Sequence, residues 1–247
     1  MIMIFSVVIP VYNEIAGVSG CLDEITSRFE RDLPEGCGYE IVISDDGSTD
    51  GTGEAVDRWM DSHHPERGKV VCHHETVNSG KGKAVRLGFM DASGDYIMFT
   101  DCDLAYGCDT ILAMFGRMAE SGYDILIGSR AIAKDGYEGY GFLRRTASKA
   151  YMKLIKAVSG FSHSDSQCGL KLFRAECGKK IFSMCTVDRW AFDFEVLMIA
   201  DRMKLAVGEY PVKVLNHGES KIRLVSDSVK MLNDLRKIKK RVAKLDI

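Results

Sequence analysis

The chain has 247 residues, enough for one large domain or two small ones with a core that needs no disulfide or metal staple. Its 33 Lys and Arg against 35 Asp and Glu leave a net charge of −2, and 46% hydrophobic with 28% charged residues is ordinary globular composition. These values exclude a disordered tail, a collagen-like repeat and a chain basic enough throughout to bind nucleic acid.

The N-terminal MIMIFSVVIPVYNE is apolar but lacks a basic leader and a small-residue cleavage site, so it reads as a buried strand at Ser6–Ile9 rather than a signal peptide. Val18, Leu22, Ile25 and Phe29 then predict a helix within 13–29. Strands are expected at Glu40–Ser44, Lys69–His73 and Tyr96–Thr100, separated by helices at Thr52–Met60 and Gly82–Ala92. Such β-α-β-α alternation predicts a mostly parallel sheet with helices on both faces. Beyond it come a strand at Asp124–Ser129, a Gly- and Tyr-containing loop at 133–141 and a basic amphipathic helix at 143–160. A strand at Leu170–Phe173, a helix at Phe192–Met203 and a strand at Val207–Val214 follow.

Residues 226–247 carry a net charge of +4, against −6 for the first 225, and predict an amphipathic helix with a narrow apolar seam. Two readings suit it: contact with an anionic membrane surface, gaining roughly 1 kcal/mol per basic residue, or packing against the domain or a second subunit. The chain divides on this basis into 1–225, itself split at 104/105, and 226–247. No apolar run approaches the length of a membrane span. The eight cysteines include no CxxC and no zinc spacing, which predicts reduced thiols in a cytoplasmic protein.

Polar clusters follow the predicted strands at Pro10–Glu14, Asp45–Asp50 and Asp101–Asp103, and in open α/β sheets such clusters converge on one crevice. Asp101 and Asp103, one residue apart, suit a hard divalent cation shared with substrate phosphates, or an ordinary turn. Asp46 can accept from a nucleotide base while Ser48, Thr49 and Asp50 start a helix. The segment NSGKGK (78–83) matches neither a P-loop nor a dinucleotide fingerprint. It leaves Lys81, Lys83 and Arg86 near a helix N-terminus, facing a diphosphate or forming a solvated charge run. Trp190, Phe192 and Phe194 suit core or pocket wall, and Arg144 and Arg145 suit a helix surface as readily as a ligand site.

Together VVIPVYNE (7–14), EIVISDDGSTDGT (40–52), NSGKGKAVRLGF (78–89) and GDYIMFTDCDL (94–104) resemble family 2 glycosyltransferases of the GT-A fold. IGSRA (127–131), FLRRTASKAY (142–151), DSQCGLKLFRAE (165–176), DRWAFDFEVL (188–197) and HGESKIRL (217–224) resemble the polyprenyl-phosphate members, with the dolichyl-phosphate β-glucosyltransferases nearest and the mannose synthases related. The resemblance spans about residues 5–225. It implies an inverting, metal-dependent transfer of a hexose, glucose for preference, from a nucleotide sugar to a polyprenyl phosphate. UDP-glucose is the preferred donor and GDP-mannose the alternative.

By the same resemblance Pro10, Val11, Tyr12 and Glu14 line the nucleoside pocket, Asp46 holds the base, and Asp101 and Asp103 bind Mg²⁺ or Mn²⁺ with the diphosphate. Ser220, Lys221 and Arg223 close over the diphosphate, which Lys81 and Arg86 of the glycine-flexed loop can also face. Gln167 to Lys171, Arg189, Trp190 and Asp193 border the sugar. Arg130, Arg144 and Ser148 hold the acceptor phosphate, and Asp193 would serve as a general base were the acceptor a hydroxyl. Ala105 stands where mannose synthases carry Gln, which weighs against mannose. The membrane helices common in these subgroups have no counterpart here, so the expectation is a peripheral protein on the cytoplasmic face of a membrane. A soluble transferase acting on a saccharide, protein or small hydroxyl acceptor, and a non-catalytic nucleotide-sugar-binding subunit, are the alternatives.

Overall fold

The computed structural model describes residues 2–136, 155, 160–161, 163–215 and 234–247. The first strand, β1 (Met3–Val11), sends Phe5, Val7, Ile9 and Val11 into one core and Val8 into the other, as the two-residue period of a strand requires. β2 (Cys37–Asp45), β3 (Gly68–His74) and β4 (Tyr96–Phe99) join it in parallel, with Val11 opposite Asp45 and Val8 opposite Phe99. Helices α1 (Val18–Asp32), α2 (Thr52–Ser62), α3 (Lys81–Asp91) and α4 (Gly107–Glu120) connect and cover these strands.

The second half completes a seven-stranded sheet in the order β3-β2-β1-β4-β6-β5-β7. Here β5 is Ile125–Ser129, β6 is Lys171–Arg174 and β7 is Val207–Pro211. β6 runs antiparallel to both β4 and β5. Its entry at Lys171, opposite Phe99, therefore lies at the edge where the parallel strands end, and the preceding loop joins the crevice there. Helices α5 (Ala175–Met184) and α6 (Phe192–Arg202) pack with α3 on the second core. The alternation expected for the first hundred residues is present, whereas α4 and α5 were not expected.

Residues 234–242 are helical, and Leu235, Ile238 and Val242 are buried in the second core with Phe192, Val196 and Ile199. Each apolar side chain so buried stabilises by about 1.5–3 kcal/mol. Over the described residues the seam thus faces the domain, and its apolar side is not open to a membrane. Residues 226–233, the loop at 137–141 and nearly all of the basic helix expected at 143–160 lie outside the described residues. Among the described residues no helix is long and apolar enough to cross a membrane.

Candidate functional site

The site forms where β1, β2 and β4 end, because their register brings loops 12–17, 46–51 and 100–106 side by side. Asn13, at φ 53°, bridges the first two: its N–H donates to Ser48 Oγ at 3.0 Å and its Oδ1 accepts from Thr49 N at 2.9 Å. The Glu14 N–H donates to Thr52 Oγ1 at 2.8 Å. Val11 packs its side chain in the core and offers only backbone, its carbonyl accepting from Asp46 N at 2.9 Å. Pro10 is half-buried on the strand, and Tyr12 is exposed at the rim.

Asp46, expected at the nucleotide base, lies at the end of β2 facing the 78–80 loop. Its carboxylate accepts from Asn78 Nδ2, Ser79 N and Gly80 N, each at 2.8 Å, so it clamps the 78–80 loop against β2. The helix start expected at Ser48–Asp50 is displaced. α2 is capped by Gly51, and Asp50 instead accepts from Thr52 N at 3.0 Å. Gly80 holds φ 121°, and a Cβ there would lie 2.5 Å from Asp188 O, so the residue must be glycine for loop 185–190 to close on α3.

Asp101 and Asp103 follow β4 in a turn closed by Leu104 N–H on Asp101 O at 3.0 Å. Leu104 has φ 44°, uncommon for a residue with a Cβ, and its side chain is buried as an anchor. Lys81, the first residue of α3, donates from Nζ to Asp101 Oδ1 and lies 5.7 Å from the centre of the Trp190 ring. Burial opposes charge on Lys81, but Asp101 outweighs it and raises the pKa, keeping the ammonium charged. Burial, then repulsion from Asp101, raises the Asp103 pKa, while Ala105 N–H donates to its Oδ1 at 3.0 Å. Two carboxylates one residue apart suit an added cation.

Among the described residues no cluster of three or more His, Cys, Asp or Glu side chains has metal-holding geometry. Two hard oxygen donors, with the rest supplied by water and a substrate diphosphate, fit Mg²⁺ or Mn²⁺ rather than a softer metal. Gly169 closes the other side: a Cβ there would stand 2.6 Å from Asp101 Oδ2 and 4.0 Å from Lys81 Nζ.

Deeper, Asp193 in the first turn of α6 pairs with the fully buried Lys171, whose Nζ also donates to Cys168 O at 2.7 Å. Burial raises the Asp193 pKa, with Asp101 adding to it, against the opposing pull of Lys171 and then Lys81. Sequence reasoning placed Lys171 only at the sugar's border and missed it as the counter-ion of Asp193. Its sign was a lysine inside the expected strand Leu170–Phe173, whose other residues are apolar.

Two expected ligands also make ion pairs within the protein. Arg130 pairs its Nε and Nη2 with Asp165 at 2.7 and 3.0 Å, a bidentate fork joining the end of β5 to the 165–170 loop. Arg86 lies in the second turn of α3 and donates to Asp188 Oδ1 at 2.7 Å and Cys185 O at 3.2 Å, bracing loop 185–190. Gln167 is half-buried and donates from its N–H to Asp165 Oδ1 at 3.3 Å, while Arg189 is exposed beside Trp190. Arg144, Ser148, Ser220, Lys221 and Arg223 lie outside the described residues.

Residues 6–182 match the Glycosyl transferase family 2 family. A dolichyl-phosphate β-glucosyltransferase of Drosophila melanogaster is 32% identical over 238 residues, covering 93% of this chain and 72% of that protein. The dolichyl-phosphate β-glucosyltransferase of Saccharomyces cerevisiae is 31% identical over 245 residues, with 93% and 72% covered. In fold, the chain is similar to glucosyl-3-phosphoglycerate synthase of Mycobacterium tuberculosis, crystallised with Mn²⁺, UDP-glucose and phosphoglyceric acid. That similarity has a TM-score of 0.69 at 18% identity, covering 99% of this chain and 81% of that one. With two acidic residues and a lysine at the carboxyl ends of a GT-A sheet, and the family match spanning most of its length, the chain belongs to the family 2 glycosyltransferases.

Proposed function

We propose that the protein transfers glucose from UDP-glucose to a polyprenyl phosphate of the dolichyl type, with inversion at the anomeric carbon. The cluster of Lys81, Asp101, Asp103 and Asp193 at the strand ends carries the reading. Similarity to dolichyl-phosphate β-glucosyltransferases over both halves of the chain supports the acceptor. In the reaction the bond from the glucose anomeric carbon to the β-phosphate oxygen breaks, its electron pair leaving with UDP. A phosphate oxygen of the acceptor forms the new bond from the opposite face.

Asp101 and Asp103 would hold Mg²⁺ or Mn²⁺, which when bound neutralises the departing diphosphate as a Lewis acid. Lys81 adds a second positive charge once its bond to Asp101 yields, its ammonium lying 5.7 Å from the centre of the Trp190 ring. The acceptor is an anion already, so no strong base is required. Asp193, oriented by Lys171, accepts a hydroxyl of the sugar. A lipid acceptor supports placement at a membrane surface without drawing on the seam of 234–242, and the eight cysteines without a CxxC or zinc spacing support the cytoplasmic face.

The test is transfer from radiolabelled UDP-glucose, with GDP-mannose and UDP-GlcNAc alongside, into a butanol-extractable product in liposomes with and without a polyprenyl phosphate. Label in the lipid phase only with UDP-glucose and the phosphate lipid is expected. Donor turnover without lipid label would move the acceptor to a soluble hydroxyl compound.

Gly169→Ala should weaken Mn²⁺-dependent UDP binding by about tenfold, because the added methyl displaces the Asp101 carboxylate. Calorimetric titration reads this directly, and a circular dichroism melt close to that of the parent should accompany it.

A further inference from the structure

The C-terminal helical segment meets the site through one buried carboxylate. Glu195 on α6 has a fully buried side chain and accepts from four donors. Thr186 N and Val187 N each lie 2.8 Å from Oε2, while Thr186 Oγ1 at 3.0 Å and Arg241 Nη2 at 2.5 Å reach Oε1. Arg241 Nη2 also donates to Met184 O at 3.0 Å. The segment is seated there by Leu235, Ile238 and Val242.

Loop 185–190, held from behind in this way, is held from the front by α3. The Asp188 carbonyl accepts from Lys83 N at 3.1 Å, and Arg86 grips Asp188 and Cys185. The loop approaches α3 so closely that a Cβ on Gly82 would stand 2.5 Å from Val187 O. Its far end carries Arg189 and Trp190, whose ring faces Lys81.

We infer that Arg241 is a positioning residue for donor binding: through Glu195 it fixes loop 185–190, and with it Trp190, against Lys81. A buried carboxylate with several donors keeps its geometry only while its charge is compensated, and Arg241 is the cation the described residues provide at Glu195. The inference rests on the nucleotide-sugar reading of the site, and makes residues 234–242 the rear support of that site rather than a surface anchor.

The test is UDP binding to the full chain with Mn²⁺ by calorimetry, together with amide hydrogen exchange at Thr186 and Val187 and a donor KM and kcat series. R241M, which keeps the packing stem, should exchange faster at those amides and raise the UDP Kd and donor KM by about tenfold. Its kcat at saturating donor should stay near the parent value. R241K should recover much of the affinity, since it restores a cation beside Glu195. An unchanged UDP Kd in R241M, whether or not the amides open or the melting temperature falls, overturns the inference. If R241M does not fold, R241Q takes its place under the same criterion. Failure of the parent protein to bind UDP would overturn the site reading itself, whereas parent binding matched by R241M would overturn this inference alone.

Discussion

Asp101→Asn is expected to lower glucosyl transfer by about three orders of magnitude at saturating donor, with little change in melting temperature. Asparagine keeps the size of the side chain and loses the anion that pairs with Lys81 and would share the metal with Asp103. The Asp101 side chain is 39% exposed, so the fold does not depend on it. Turnover of labelled donor at several Mn²⁺ concentrations checks the prediction. Activity within tenfold of the parent would place the metal elsewhere.

The largest effect on stability is expected from Asp165→Asn, which leaves the Arg130 guanidinium without its anion. Asp165 is 1% exposed and forms a bidentate pair. Breaking one side of such a pair costs about 3–5 kcal/mol, measurable in a urea titration. The same pair predicts a pH signature. Burial pushes the Asp165 pKa up, but the Arg130 charge outweighs it and the carboxyl titrates below its ordinary range. Its contribution is therefore complete above the unfolded-state pKa of about 4 and is lost as pH falls through the lower folded value. D165N should show a flatter stability profile on the acid side.

The parallel half of the sheet was legible because β1, β2 and β4 are buried on both faces, which leaves short, almost continuous apolar runs between polar loops. The convergence of Pro10–Glu14, Asp45–Asp50 and Asp101–Asp103 followed from that topology alone. α4 was hidden by Gly107 and Gly116 although Cys108, Ile111, Met114, Phe115 and Met118 form its buried face. α5 was too short, with Gly178 in its middle, to announce a period. The direction of β6 leaves no mark in a strand of four residues.

Residue types at the site were legible while several of their partners were not. Arg130, Arg86 and Asp46, expected to hold substrate, each also pair with a side chain or loop distant in sequence. Only three-dimensional proximity reveals such pairings. The C-terminal seam shows the same limit, since an apolar stripe flanked by lysines is compatible with a bilayer or a protein core until its neighbours are known.

The Asp46 clamp has a thermodynamic consequence. Three hydrogen bonds immobilise residues 78–80 before any nucleotide arrives, so the entropy of ordering that loop is spent during folding rather than during binding. On the proposed reading, nucleotide association would meet this wall already ordered, and its rate would be set by diffusion and orientation rather than by closure of that loop. If the proposed donor is right, release of UDP after each cycle would gain from this, because neither entry nor departure of the nucleotide would wait on refolding of that wall.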